Sequence, residues 1–524
     1  MIRSMLCVLL AVAMLFGPLR AETGNRKSPN LIVIVADDLG YADVGFNGCK
    51  DIPTPHIDSI AAGGVKFTSG YVAYSVCGPS RASFITGRYG QRFGFERNPQ
   101  YQPNHDNMGL PLSEKTLAAT LKNVGYHSGI IGKWHLGATK KLHPLNRGFD
   151  EFYGHLGGGH RYMPTDLTIK DSYTAKDEAE SYRTWIMKNH EPVAPRKYLT
   201  DDFSDEAVSF VARNHDRPFF LFLSYNAPHL PLQASEKYLL RFPGIKDKKR
   251  RTYAAMVSAV DDGVGRVLAA LREHKVEQNT LVFFLSDNGG PTTKNASSNA
   301  PLRGNKGDAW EGGFRVPFAA QWPAGFPRGV TYDQPVTSLD IFATIAELSG
   351  ASVAPEQPLD GVNLTPFVNG RKKGTPHEGI FLRKFDQGIR AVRSGDHKLV
   401  VFEKTDFRSL HDLKNDIGEQ TNIFQSNVEI HRRLSALWED WNRPNIDPVF
   451  AGLVMAKAAR KKQNPPKPKP TENPTVKKDA AYWKDQFFKK HPEADTNKDG
   501  TFSWAELKAA KAKLKPKKPA GRNK

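Results

Sequence analysis

A doubly wound α/β fold is predicted by three features of the chain. Apolar runs of strand length alternate with helical patterns from about residue 30 to residue 290. The runs Leu31-Ile32-Val33-Ile34-Val35-Ala36 and Leu281-Val282-Phe283-Phe284-Leu285 are unbroken, with no polar face, as strands covered on both sides require. Each run also ends in a polar cluster, and open α/β sheets bind ligands at the carboxyl ends of their strands.

Taken in order, the chain opens with Arg3, an apolar core from Met5 to Phe16 and a small residue, Ala21. Residues 1–21 thus read as a secretory signal, too short to be a retained span, and a secreted or periplasmic protein is expected. The first strand delivers Asp37-Asp38. Adjacent carboxylates repel one another, and a hard divalent cation resolves that repulsion. The apolar run Val65 to Val72 reads as a strand, followed by Ser75-Val76-Cys77-Gly78-Pro79-Ser80-Arg81-Ala82-Ser83-Phe84-Ile85-Thr86-Gly87-Arg88. Pro79 suits the first turn of a helix, which places Cys77 at a helix N-terminus, where free amides and the dipole favour an anion.

Ser113 to Val124 reads as a capped helix with Leu117, Leu121 and Val124 on one face. His127 to Ile131 is a short strand delivering Gly132-Lys133-Trp134-His135. After a helix over Asp201 to Asn214, the strand Pro218 to Leu223 delivers Tyr225-Asn226-Ala227-Pro228-His229. Tyr253, Met256, Val257, Val260, Val264, Val267, Leu268 and Leu271 trace one face of a long helix. The strand after it delivers Asp287-Asn288-Gly289-Gly290. All five polar clusters are therefore expected to line one crevice.

A smaller unit is expected from residue 375 to 455, with a small antiparallel sheet around Lys398 to Phe402 and a helix near Val428 to Trp441. Residues 456–478 are rich in Lys and Pro and read as an extended linker. The net charge of +19 is concentrated in the C-terminal tail: residues 451–524 hold 20 Lys/Arg against 7 Asp/Glu. The remaining body is nearly balanced, which argues against nucleic-acid binding. The tail fits either a solvated linker or contact with a surface or acidic polymer. Of three cysteines, Cys7 lies in the signal. Cys49 and Cys77 either pair, or leave Cys49 a buried thiol if Cys77 is modified.

Cys77-x-Pro79-Ser80-Arg81 with Thr86-Gly87-Arg88 resembles the signature of the type I sulfatases, in which an enzyme oxidises the cysteine to formylglycine (3-oxoalanine). Asp37-Asp38, Gly132-Lys133-Trp134-His135, Ala227-Pro228-His229, Asp287-Asn288-Gly289 and Arg303-Gly304-Asn305-Lys306-Gly307 look like successive sulfatase segments in family order. The resemblance covers roughly residues 29 to 445 and is similar to arylsulfatases and N-acetylgalactosamine-6-sulfatases. It implies an alkaline-phosphatase-like mixed sheet between helices, a catalytic domain over 22–374 and a C-terminal subdomain over 375–455.

It also implies that Asp37, Asp38, Cys77, Asp287 and Asn288 hold the catalytic Ca2+, and that residue 77, as formylglycine hydrate, is also the nucleophile. One geminal hydroxyl attacks sulfur, and the other later expels sulfate. His229 protonates the leaving alcohol, His135 assists the collapse, and Arg81, Lys133 and Lys306 position the hydrate and the sulfate oxygens. The expected substrate is a sulfated carbohydrate or aryl sulfate, and the expected partner a formylglycine-generating or sulfatase-maturating enzyme. Two rival readings fit the same residues: a phosphodiesterase or phosphonate hydrolase on this fold, and a non-catalytic binder of sulfated glycans.

Residues 479–512 resemble an EF-hand. Asp495, Asn497, Asp499 and Glu506 take loop positions 1, 3, 5 and 12, Thr501 and Ser503 positions 7 and 9, and Gly500 the sharp turn. A second Ca2+ is expected there, ahead of a basic tail over 513–524. The segment Gly154 to Asp171, with Gly157-Gly158-Gly159-His160-Arg161, is expected to wall the substrate pocket.

Overall fold

The computed structural model describes residues 28–166, 178–453, 491 and 493. The signal segment 1–21, the linker 456–478, the EF-hand loop 495–506 and the basic tail 513–524 lie outside the described residues. The chain forms two compact units, Met1–Ala456 and Lys457–Lys524, and the sheets belong to the first.

A ten-stranded sheet runs through that first unit. Its strands are β1 (Asn30–Ala36), β2 (Val65–Phe67), β4 (His127–Lys133), β5 (Glu151–His155), β6 (Ile186–Lys188), β7 (Glu191–Val193), β8 (Phe219–Ser224), β9 (Thr280–Ser286), β10 (Phe318–Gln321) and β11 (Val330–Tyr332). A separate pair is formed by β3 (Gly70–Tyr71) and β12 (Val336–Thr337). The order across the large sheet is β11-β2-β10-β9-β1-β8-β4-β5-β6-β7. The five central strands β9-β1-β8-β4-β5 are mutually parallel, while β10 and β6 run antiparallel to their neighbours. The sheet is therefore mixed around a parallel centre.

β1 shows why an unbroken apolar run belongs here. Leu31, Val33 and Val35 enter one core with Phe84 and Ile85 of the helix Cys77–Thr86 and Ile341 and Ile345 of the helix Leu339–Ser349. Ile32, Ile34 and Ala36 enter the opposite core with Phe203 and Phe210 of the helix Leu199–Asn214 and Met256, Val260 and Val264 of the helix Lys248–Glu273. Successive side chains face opposite sides of a strand, so both faces must be apolar when both are covered. Each fully buried Val, Leu or Ile contributes about 1.5–3 kcal/mol relative to exposure.

Four strands, β13 (Ile380–Lys384), β14 (Ile389–Ser394), β15 (His397–Phe402) and β16 (Phe407–Asp412), form the small antiparallel sheet. The helix Val428–Asn442 covers one face, with the rings of Phe381 and Trp441 stacked 4.8 Å apart. The other face, through Ile380, Leu382, Ala391 and Val400, joins the core that also holds Phe84 and Ile85 of the helix Cys77–Thr86.

Two expectations change in detail, and one pair of alternatives is decided. The run from Val65 to Val72 is two strands in two sheets, because Gly70-Tyr71 pairs with Val336-Thr337 rather than continuing β2 along β10. A loop thus stands between strand and helix before Cys77. The helix expected over Ser113 to Val124 is only Leu117–Lys122, since the Thr116 side chain caps it by accepting from the Ala119 amide at 3.1 Å. Cys49 and Cys77 are not paired: Cys49 is half-buried with its thiol on Asp51 Oδ1 at 3.3 Å, and Cys77 is buried.

Candidate active site

Strand ends build the site. Asp37 and Asp38 follow β1, Lys133 ends β4 with His135 two residues on, His229 follows β8, and Asp287 and Asn288 follow β9. Cys77 and Arg81 join them from the first turns of their helix, and Lys306 from the loop after the Asp287 cluster. Every one of these residues is buried except Lys306, which is partly exposed.

Cys77 is the first residue of its helix. Lys306 Nζ donates to its sulfur at 3.1 Å and to Asp38 Oδ1 at 2.6 Å. Burial pushes the Cys77 thiol up, but Lys133 and Lys306 outweigh it and hold the thiol well below its usual range. Asp38, Asp37, Cys77 and His229 each bring a ligand-type atom within 4.8 Å of the others. The residue expected to be the nucleophile therefore faces the paired aspartates across a single small space.

Arg81, 2% exposed, ties the floor together. It donates from Nε to Asp287 Oδ2 at 2.9 Å and from one terminal nitrogen to Ser224 Oγ at 2.5 Å and the Lys133 carbonyl at 3.2 Å. Its other terminal nitrogen pairs with Asp287 Oδ2 at 2.9 Å. Lys133 Nζ donates to Asp37 Oδ2. Burial first, and then the charge of Asp37, push the Asp287 carboxyl up to about 6. Burial also raises Asp38, but Lys306 and His229 pull it below the ordinary carboxylate value.

The two histidines differ. His229 Nδ1–H donates to the Leu230 carbonyl at 2.6 Å, leaving Nε2 3.6 Å from Asp38 Oδ2. Burial lowers its pKa, yet Asp37 and Asp38 outweigh that and raise it above the ordinary value. His135 is pushed well below by burial, with Lys133 and Arg81 adding to the effect. The protonated form is thus favoured at His229 and the neutral form at His135.

A hard cation fits the carboxylate side of the site. Asp37 Oδ1 and Asn288 Oδ1 are buried acceptor oxygens with no hydrogen-bond partner, which a cation with oxygen ligands would satisfy. Asn288 Nδ2 donates to Asp38 Oδ1 at 2.7 Å, and the Asp38 amide donates to Asp287 Oδ1 at 3.3 Å. The four expected Asp and Asn ligands are thus linked through these bonds and through Arg81, whereas the ligand atoms within 4.8 Å of one another are those of Asp37, Asp38, Cys77 and His229. Asp287 differs from the others in accepting a hydrogen bond from Arg81 on its second oxygen.

Sequence reasoning missed Ser224, whose hydroxyl bridges Arg81 and the Lys133 carbonyl; Asn226, expected only as part of a crevice-lining cluster, is a wholly buried side-chain amide without a hydrogen-bond partner. Ser224 ends an apolar strand, and only its placement could have marked it. In the Gly-rich segment, Gly158 passes so close to His135 that an added Cβ would lie 2.7 Å from Nε2. His160 does not face the pocket as a sugar contact: it is 1% exposed, with its ring nitrogens on the Arg161 and Thr184 carbonyls at 2.9 and 2.7 Å. Residues 167–177 lie outside the described residues.

The parallel centre of the sheet gathers beside its strand ends a cysteine at a helix N-terminus, three cationic side chains, two histidines and a carboxylate cluster, a set suited to the class of hydrolases that act on anionic esters. Comparison with known proteins narrows this class. The sulfatase family model matches residues 29–351, and the model for the C-terminal region of N-sulphoglucosamine sulphohydrolase matches residues 305–441. Human N-acetylgalactosamine-6-sulfatase is 35% identical over 400 residues, spanning 72% of this chain and 72% of its own length. Human steryl-sulfatase is 32% identical over 438 residues, spanning 70% of this chain and 74% of its own length. The solved structure of Ps i-CgsB in complex with k-i-k-neocarrahexaose is 40% identical with a TM-score of 0.77, covering 84% of this chain and 98% of that one. The chain belongs to the sulfatase family, and it is an enzyme that hydrolyses sulfate esters.

Proposed function

We propose that the protein is an exported, calcium-dependent sulfatase of sulfated carbohydrates, with formylglycine made from Cys77 as its nucleophile. The observation that carries this reading is the position of Cys77, at a helix N-terminus with Lys306 on its sulfur and the paired aspartates opposite. Formylglycine hydrate at position 77 would supply a nucleophilic oxygen, and calcium on Asp37, Asp38, Asp287 and Asn288 would supply charge against the sulfate oxygens.

The chain's own residues do the rest. Lys306 and Lys133 provide ammonium groups around residue 77, and preorganised cations of this kind stabilise the negative charge of the transferring group. Arg81 holds Asp287, Ser224 and the end of β4 in register, so that Lys133 and the carboxylates keep their spacing. His229, its Nδ1–H anchored on the Leu230 carbonyl, presents a protonated Nε2 to the departing alcohol. That proton matters because an alkoxide is a poor leaving group. His135, neutral and deeply buried, takes the proton that must leave the residue-77 side of the reaction.

A sulfated carbohydrate as substrate is supported by the 40% identity to a structure holding k-i-k-neocarrahexaose and by the relatives named N-acetylgalactosamine-6-sulfatase. Export rests on residues 1–21, and export also suits a substrate too large to enter a cell. A formylglycine-generating or sulfatase-maturating enzyme is the required partner for residue 77. The EF-hand at Asp495, Asn497, Asp499, Thr501, Ser503 and Glu506 is read as a second calcium site, and the basic tail as a contact to a surface or acidic polymer.

The test is made on protein from a host able to convert the cysteine. The mass of the peptide over residues 75–88 should show the aldehyde, and a panel of sulfated mono- and oligosaccharides should be desulfated. An unmodified thiol in such protein, or faster turnover of an aryl phosphate diester than of an aryl sulfate, would overturn the assignment.

A further inference from the structure

Lys306 reaches the site from the segment 303–315, which belongs to neither a strand end nor a long helix, so something must hold its ammonium in place. The small antiparallel sheet does so at two points. Just past Lys306, Lys384 Nζ at the end of β13 donates to the Gly307 carbonyl. Five residues on from Lys306, Glu311 is gripped by both its backbone and its side chain. Its amide donates to Glu419 Oε2 at 2.7 Å, and its carboxylate accepts from Lys398 Nζ of β15 at 2.9 Å on one oxygen. The other oxygen takes Tyr71 Oη at 2.5 Å and Arg315 at 3.1 Å. Lys398 also pairs with Glu419 Oε1 at 2.8 Å, and Lys398, Glu311 and Glu419 are all 0% exposed.

The loop is pinned to the catalytic body on its other side. The Lys306 amide donates to the Gly290 carbonyl at 3.3 Å, the Gly307 amide to the Ser75 carbonyl at 2.8 Å, and the Gly289 amide to the Gly313 carbonyl at 2.9 Å. Residues 290 and 75 flank the Asp287 cluster and Cys77. The loop therefore bridges the large sheet and the small one, with its active-site lysine between the pins. Wholly buried charges are retained only where every member is paired, and breaking one pair displaces what it held. The family model that begins at residue 305 and ends at residue 441 spans the loop and the sheet together.

We propose that the C-terminal sheet is part of the sulfate-binding machinery: Lys398, Glu311, Glu419 and Lys384 are positioning residues that fix Lys306 against residue 77. The inference rests on the sulfatase reading for its role in turnover, but not for its effect on sulfate affinity. Inorganic sulfate binding by calorimetry, on the full chain, is accordingly the primary readout. Lys398→Met and Lys306→Ala should each weaken sulfate at least tenfold, and the double variant should be no more than twofold weaker than Lys306→Ala alone. In turnover of an aryl sulfate, Lys398→Met should lose more in KM than in kcat. Arg408→Ala, which breaks only an exposed pair with Asp406 on the same sheet, should change neither.

Multiplicative losses in the double variant, or unchanged sulfate affinity in Lys398→Met, would overturn the proposal. Should Lys398→Met fail to fold, Lys384→Met at the sheet's edge carries the same cycle with Lys306→Ala and the same criteria. A wild-type protein that binds sulfate but hydrolyses no sulfate ester would refute the proposed function, while the affinity cycle would still decide the role of the sheet.

Discussion

Asp287 makes the most quantitative prediction. In the cation-free protein burial, and then Asp37, push its carboxyl from 3.8 to about 6. A gap of about two pH units corresponds to about 3 kcal/mol. Because the folded form holds this proton more tightly than the unfolded form, its contribution to stability is fully present below about pH 4. It is lost as the pH rises through about 6. Asp38, held below its ordinary value by Lys306 and His229, contributes the opposite slope at lower pH.

Asp287→Asn removes the first titration, so the stability difference between wild type and variant isolates it. Urea unfolding in chelator should show the wild type losing about 3 kcal/mol relative to Asp287→Asn between about pH 4 and pH 7. Calcium at about a thousand times its Kd should restore about 4 kcal/mol to the wild type at about pH 7. Both proteins should carry Asp495→Ala and Glu506→Gln, so that calcium bound by the tail does not enter the comparison. A difference that stays flat with pH, or a neutral-pH midpoint indifferent to calcium, would refute the electrostatic reasoning.

Cys77→Ala should lower sulfate-ester turnover by roughly a thousandfold or more, with unchanged circular dichroism and urea midpoint, because Ala is a good helix former at that position. His229→Ala should cost about 10²–10⁴-fold on an alkyl sulfate but far less on a nitrophenyl sulfate, whose leaving group needs no proton; equal losses on both would remove His229 from the acid role. Arg81→Met leaves Asp287 buried without its guanidinium partner, and a loss of about 3–5 kcal/mol in urea unfolding is expected. Asp495→Ala with Glu506→Gln should abolish one class of calcium binding in calorimetry and leave kcat/KM within about twofold, as expected for losing ligands of a hand that does not serve the site.

How much of the fold and site was legible without coordinates depends on whether a feature is local. The unbroken run of β1 could be read as a doubly covered strand because each of its residues reports its own burial. The polar groups placed after β1, β4, β8 and β9 come from the same reading, since strand ends in a parallel sheet lie on one edge. Pairings set by distant contacts were not legible. Gly70-Tyr71 leaves the run from Val65 because Val336-Thr337, far along the chain, offers a partner. The bond between Glu311 and Glu419 spans 108 residues, and nothing near either glutamate announces the other. Ser224 is similarly silent, a strand-end serine until Arg81 is brought to it. The signal segment and the EF-hand loop fall outside the described residues, so those readings stand on pattern alone.

The convergence of Asp37 and Asp38 draws on both sequence and backbone geometry. Two aspartates in sequence at the end of a strand should point to opposite faces of the sheet, which would place only one of them in the site. They converge because Asp38 adopts a left-handed backbone, with φ of 66°. That conformation costs a non-glycine residue roughly 1–2 kcal/mol, and Asp and Asn tolerate it best. The cost is offset locally: the Asp38 amide finds Asp287 Oδ1, and its carboxylate takes Asn288 and Lys306. His135 repeats the device after β4, with φ of 60° and its ring set against Gly158. Strained backbone at both positions is thus the means by which residues just past two strands serve a single centre. Asp38→Asn should therefore be tolerated by the fold far better than Asp38→Val, whose branched side chain resists a positive φ. Thermal unfolding of the two variants side by side would show the same midpoint shift for both if the left-handed turn were not needed.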